Sequence, residues 1–218
     1  MDQIKAIIFD MDGVLVDAKE WHYEALNKAL NLFGFSISRY DHLVTYDGLP
    51  TRKKLEMLSM ERGLPKGLHG FINRMKQVYT TEYIFNKCKP LFFHEYALSH
   101  LKNNGYRLAV ASNSIRQTVD LMMEKSSLQQ YLDFTLSNED VSNSKPHPEI
   151  YQTAISKLRL DPQECLIVED NENGIKAAKA SGANLLVVKS VEDVNLTNIM
   201  NRIMEIEGIN EYSGIIGG

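Results

Sequence analysis

The chain has 218 residues, 44% hydrophobic and 24% charged, with a net charge of −4. That is enough apolar material for one core, or a core with a small satellite domain, and it excludes a fibre or a disordered tail. Basic residues are dispersed, so neither a nucleic-acid stripe nor a membrane-binding face is expected, and no run reaches the roughly 18 to 20 apolar residues of a membrane helix; small-molecule partners are expected instead.

The first element is the apolar run Ile4 to Phe9, read as a strand over Lys5 to Phe9, and it ends in Phe9-Asp10-Met11-Asp12-Gly13-Val14. Strand alternation puts both carboxyls on one face. Like charges this close repel unless a proton or cation lies between them, and Mg²⁺, a hard ion that takes oxygen ligands, is the natural neutraliser. A solvated Asp pair at a strand-to-loop turn is the other reading of an isolated pair.

From Val14 to about Leu91 no strand is convincing. Helical periodicity appears over Trp21 to Leu32, Thr51 to Arg62 and Leu68 to Phe85. An insertion of this kind reads as a helical cap over residues 15–90, hung from linkers near 15–18 and 86–90 on a core of 1–14 and 91–218. Both linkers leave the sheet beside Asp10 and Asp12, so the bundle is expected to lie over them as a lid.

Beyond residue 100, short β-rich runs at Arg107 to Ala111, Phe134 to Leu136, Cys165 to Val168 and Asn184 to Val188 alternate with helical patterns, among them Ile115 to Lys125, Pro148 to Leu158 and Gly174 to Ser181. This predicts an α/β fold, a doubly wound parallel sheet covered on both faces. Such sheets bind ligands at the carboxyl ends of their strands. The Gly-rich tail from Glu207 onward is expected to fray. Cys88 and Cys165 lack metal-ligand spacing and no signal-type segment is visible, so the cytoplasm is the expected compartment. Oligomeric state is not encoded legibly.

Three more strand ends carry candidates. Ser112-Asn113-Ser114 offers a hydroxyl and N–H groups at a helix start, a pocket for an anion or an ordinary N-cap. Lys145, held just ahead of a Pro-started helix, is either solvated or a phosphate clamp. Glu169 and Asp170 end a buried strand in the ligand crevice, and two acids there call for a cation.

In order, Asp10-x-Asp12-Gly13-Val14, Ser112, Lys145-Pro146 and Glu169-Asp170 with Gly174 behind resemble the four motifs of the haloacid dehalogenase superfamily, more narrowly its β-phosphoglucomutase-like phosphatases with a helical cap. The resemblance spans essentially the whole chain. It implies Asp10 as nucleophile forming an aspartyl phosphate and Asp12 as acid and then base. It implies Mg²⁺ held by Asp10, the Asp12 main-chain carbonyl and Asp170, with Glu169 ligating directly or through water, and phosphoryl oxygens held by Ser112, the Asn113 N–H and Lys145. In the cap, Asp47-Gly48-Leu49-Pro50-Thr51-Arg52-Lys53 is similar to the family's specificity loop. Gly48, Thr51, Arg52 and His22 are its candidate substrate contacts.

The chain departs from the family at hinge positions, with Ala18 where relatives carry Thr or Ser and Pro90-Leu91 where many have Pro-Gly. The expected activity is hydrolysis of a small phosphorylated metabolite, a sugar, polyol or similar phosphate monoester. A sugar-phosphate mutase is the alternative among enzymes. A phosphate-storing, receiver-like signalling domain is the alternative outside them, but it needs neither a cap nor Asp12. Neither GxGxxG nor a P-loop occurs, which disfavours dinucleotide and P-loop chemistry.

Overall fold

The computed structural model describes residues 3–209. Strands β1 (Ala6–Phe9), β2 (Arg107–Ala111), β3 (Phe134–Leu136), β4 (Cys165–Glu169) and β5 (Asn184–Val187) form one sheet in the order β3-β2-β1-β4-β5, every pair parallel. The chain steps outward from β1 to β3 and then crosses to β4 on the other side of β1. That reversal opens a crevice at the carboxyl ends of β1 and β4.

The pleat sorts the strand side chains into two layers. Ile7 and Phe9 of β1, with Leu166 and Val168 of β4, pack on α5 (Phe92–Asn103), α6 (Arg116–Lys125) and α9 (Leu196–Glu207). Ala6, Ile8, Cys165 and Ile167 pack on α7 (Glu149–Leu158) and α8 (Glu172–Ser181). Met11, just past β1, is fully buried in the first layer. Its neighbours Asp10 and Asp12 both line the crevice.

Between β1 and α5 the chain forms α1 (Lys19–Asn31), α2 (Arg39–Asp41) running into a π-helical turn His42–Tyr46, α3 (Thr51–Arg62) and α4 (His69–Lys87). Leu26, Leu30, Leu55, Leu58 and Ile72 give these helices a small core of their own. The segments that join them to the sheet are not slack, because Leu15, Val16, Ala18 and Cys88 are buried in the first layer. A tight turn, in which Gly13 N–H donates to the Val16 carbonyl (2.7 Å), carries the chain away from Asp12.

The C-terminal end departs from the expected fraying at Glu207. That residue closes α9, and its Oε1 accepts the Ile4 N–H at 2.8 Å. Gly214, Gly217 and Gly218 lie outside the described residues. Cys88 and Cys165 are free and buried. Among the described residues no helix is long and apolar enough to cross a membrane.

Candidate active site

Asp10 follows β1 directly, its N–H donating to the Val168 carbonyl of β4 (2.9 Å), so the carboxyl is fixed beside the end of that strand. Lys145 reaches it from the loop before α7, its Nζ 2.5 Å from Asp10 Oδ1 and 2.8 Å from Glu169 Oε1. The same Nζ lies 4.6 Å from the centre of the Tyr151 ring, and the Tyr151 hydroxyl donates to Glu169 Oε1 (2.7 Å). Burial opposes the charge on Lys145, but Asp10 and Glu169 outweigh it and hold the ammonium above its ordinary pKa. Burial raises the pKa of Asp10 well above the carboxylate range; Lys145 opposes the rise, and the acids around it add to it.

Asp12 has a different environment. His22 Nε2 lies 2.9 Å from its Oδ1, and the Ser114 hydroxyl donates to Oδ2 (3.0 Å). Burial favours protonation, yet His22 and Ser114 more than offset it and keep the Asp12 carboxyl below its ordinary pKa. Lys76 of α4 approaches the other ring nitrogen, Nζ to Nδ1 3.1 Å. An ammonium can only donate, so Nδ1 must be the acceptor and Nε2 carries the proton toward Asp12. Burial and the Lys76 charge both lower the His22 pKa, consistent with that neutral tautomer.

Oxygens of Asp10, Glu169 and Asp170 lie within 4.8 Å of one another. Glu169 is fully engaged: Oε1 accepts from Lys145 and Tyr151, and Oε2 from the N–H groups of Asp170 (3.0 Å) and Asn171 (3.3 Å). Asp170 is the opposite case. Neither of its buried oxygens has a hydrogen-bond partner, although the Lys19 ammonium pairs with Oδ2. Burial moves its pKa up to about 6, against the pull of Lys19. A buried carboxylate with open lone pairs beside a second one fits a hard divalent cation such as Mg²⁺.

Two glycines make room for this cluster. Gly13 has φ +89°, and a Cβ there would meet Asp170 Oδ2 at 2.2 Å and Lys19 Cε at 2.5 Å. A Cβ on Gly174 would lie 1.7 Å from Glu169 Oε1.

The remaining expected residues divide into three places. Ser112 is fully buried, and its Oγ accepts the Ser114 N–H (3.0 Å), leaving its own proton to donate. Asn113 ties three segments: its Nδ2 donates to the carbonyls of Gly48 (2.9 Å) and Lys145 (3.3 Å), and its Oδ1 accepts the Lys145 N–H (3.0 Å). Gly48, Thr51 and Arg52 line the cavity from the cap side, but the Arg52 side chain is 89% exposed and pairs with Glu56. Asn173 Nδ2 donates to the Asp47 carbonyl (3.1 Å), a second tie between cap loop and core. Together these walls enclose about 170 Å³.

Lys19, Lys76, Tyr151 and Lys54 were not singled out in the sequence. Each is a common residue type whose partner lies far along the chain, except Lys54, which sits one turn before the buried Leu58 on the inward stripe of α3.

The chain resembles known proteins over most of its length. The chain is 28% identical over 193 residues to a phosphorylated carbohydrates phosphatase of Thermotoga maritima, covering 87% of this chain and 88% of that one. It is 28% identical over 190 residues to the pyrophosphatase PpaX of Bacillus velezensis, covering 83% and 81%. In fold it is similar to β-phosphoglucomutase from Clostridium difficile, with a TM-score of 0.80, 23% identity, and coverage of 94% of this chain and 100% of that one. The model of the haloacid dehalogenase-like hydrolases matches residues 7–188, and with the sheet order and the strand-end acids in place, the chain belongs to that family.

Proposed function

We propose that the chain is a Mg²⁺-dependent phosphatase of a small phosphorylated metabolite, a sugar, polyol or similar phosphate monoester, working through an aspartyl phosphate on Asp10. One observation carries the reading: two carboxylates two residues apart face one cavity with different partners, Asp10 against Lys145 and Asp12 against His22 and Ser114. The Lys145 ammonium holds Asp10 as the group that attacks phosphorus, and the His22 and Ser114 hydrogen bonds hold Asp12 as the group that moves protons. The phosphatase names of the two relatives support it, as does the cavity, which at about 170 Å³ is below the roughly 300–1,000 Å³ of drug-sized ligand sites.

In the first step an Asp10 oxygen attacks phosphorus in line, the ester P–O bond breaks, and the departing oxygen takes a proton from Asp12. In the second, water attacks the phosphorus of the aspartyl phosphate while Asp12 accepts its proton. Inorganic phosphate leaves and the Asp10 carboxylate is restored. Asp12 rests as a carboxylate, so the proton for the first step comes along the hydrogen-bond chain from Lys76, whose ammonium protonates His22 Nδ1 as the Nε2 proton passes to Asp12; the second step returns it.

Ser112 O–H, the Asn113 N–H and Lys145 hold the phosphoryl oxygens, where transition-state charge lies. Asp10, Asp170 and the Asp12 main-chain carbonyl are the holders of Mg²⁺, which when bound neutralises charge between carboxylate and phosphate. Glu169 fixes Lys145 in place.

A panel of phosphorylated metabolites with Mg²⁺, run in ¹⁸O-labelled water, tests the reading. Label appearing in inorganic phosphate at the rate of substrate consumption is the expected result. An isomeric sugar phosphate formed much faster than free phosphate would replace the phosphatase with a mutase and leave the residue roles intact.

A further inference from the structure

The phosphate chemistry proposed above uses the sheet side of the cavity and leaves the cap side unexplained. Two ammonium groups come down from that side, Lys54 of α3 and Lys76 of α4, each only 7% exposed. Lys76 has His22 as a partner. The Lys54 ammonium makes neither a hydrogen bond nor an ion pair with another described residue.

The acids that attract Lys54, Asp47 and Asp12, are occupied elsewhere. Asp12 serves His22 and Ser114, and Asp47 Oδ2 accepts from Asn171 Nδ2 (3.4 Å). His42, on the same wall, is buried with neither ring nitrogen hydrogen-bonded.

A cavity wall that presents one ammonium with no protein partner and a second close enough to repel it is a place that favours an anion. Burial brings Lys54 down to about 8, against the pull of Asp47 and Asp12. The first turn of α3, from which Lys54 projects, adds partial positive charge of the same sign. An anion between the two lysines would offset all of this positive charge.

We propose that Lys54 and Lys76 form a second anion-binding subsite opposite Asp10, so that the substrate is a short molecule with two acidic groups, the phosphate that is hydrolysed and a second phosphate or carboxylate held by the cap. The proposal rests on the phosphatase reading for the first group and on the cap geometry for the second. It assigns substrate choice to Lys54 in place of Arg52, which points to solvent.

The test compares three esters of one length: propane-1,3-diol monophosphate, its bisphosphate, and the phosphate ester of 3-hydroxypropanoate. Wild type should favour at least one of the two doubly acidic esters over the neutral-tailed one in kcat/KM by on the order of ten- to a hundredfold, the worth of a charged hydrogen bond in a closed site. The preferred one identifies the second group as phosphate or carboxylate. Lys54→Met should collapse that ratio mainly through KM, and Lys54→Arg should retain most of it.

Calorimetric binding of the bisphosphate to Asp10→Asn, with and without Lys54→Met, reads the subsite without turnover, and Lys54→Gln replaces Met if that variant does not fold. Binding weakened ten- to a hundredfold by loss of Lys54 supports the subsite. Equal binding, or a wild-type preference for the neutral-tailed ester, overturns it. Tight, Lys54-dependent binding with no turnover of any ester would instead overturn the phosphatase reading and leave the subsite standing.

Discussion

His22 Nε2 stands 2.9 Å from Asp12 Oδ1 while its Nδ1 faces the Lys76 ammonium, so the imidazole is a fixed donor that keeps the half-buried Asp12 ionised. Without that donor, burial governs Asp12 and its pKa rises. The base form needed in the second chemical step is then available only at higher pH. His22→Leu should therefore shift the acid limb of the kcat–pH profile upward, and an acid limb that stays in place would remove His22 from this role.

The two aspartates should fail differently. Asp10→Asn should abolish phosphoenzyme formation, because the amide oxygen is a poor nucleophile. Asp12→Asn should keep the nucleophile and lose proton transfer, at a cost of roughly a hundred- to ten-thousandfold in kcat. Quench-flow detection of labelled phosphoenzyme distinguishes them, and near-normal turnover by Asp10→Asn would mean that the nucleophile lies elsewhere.

A divalent cation on Asp170 would compete with Lys19. The Lys19 ammonium pairs with Oδ2, and the same charge lowers the Asp170 pKa. Lys19→Met removes a like charge from beside the metal position, so Mg²⁺ should bind about tenfold more tightly by calorimetry at a pH where Asp170 is fully ionised, and the gain should shrink toward neutral pH as the raised Asp170 pKa lets a proton compete. The gain should be smaller at high salt, because Lys19 is partly exposed and screened. Unchanged affinity would mean that Asp170 is not a ligand.

Gly174→Ala tests the support of Lys145. The new Cβ would overlap Glu169 Oε1, and the carboxylate has no free direction because donors hold both oxygens. Displacing it separates a buried ion pair. A loss of about 3–5 kcal/mol in denaturant unfolding is expected, together with reduced turnover.

The strands were legible because parallel strands covered on both faces must be apolar throughout. Residues 107–111 and 134–136 form strands with the bounds read from the sequence. α9 was not singled out as a helix, and the tail read as fraying begins only at its last residue, Glu207. The acids Asp10, Glu169 and Asp170 were legible as a set because chain direction alone brings the carboxyl ends of β1 and β4 together, and Lys145 joins them from the loop between β3 and α7.

Contacts made by helix faces were not legible. His22 and Lys76 are 54 positions apart and meet only because α1 lies along α4. Arg52 and Lys54 look equivalent in sequence, yet two residues of helix turn their side chains about 200° apart, so one pairs with Glu56 in solvent while the other is buried.

The cap loop is tied to the sheet chiefly through its main chain, by Asn113 on the Gly48 carbonyl and Asn173 on the Asp47 carbonyl. A grip on backbone atoms does not register which side chains the loop carries. Positions 49 to 54 can therefore be exchanged as a cassette while the docking points stay the same, apart from the turn at Gly48, whose φ of +68° and crowding against Asn171 require glycine. Divergence of specificity, or its redesign, has a route here that leaves the reacting groups untouched.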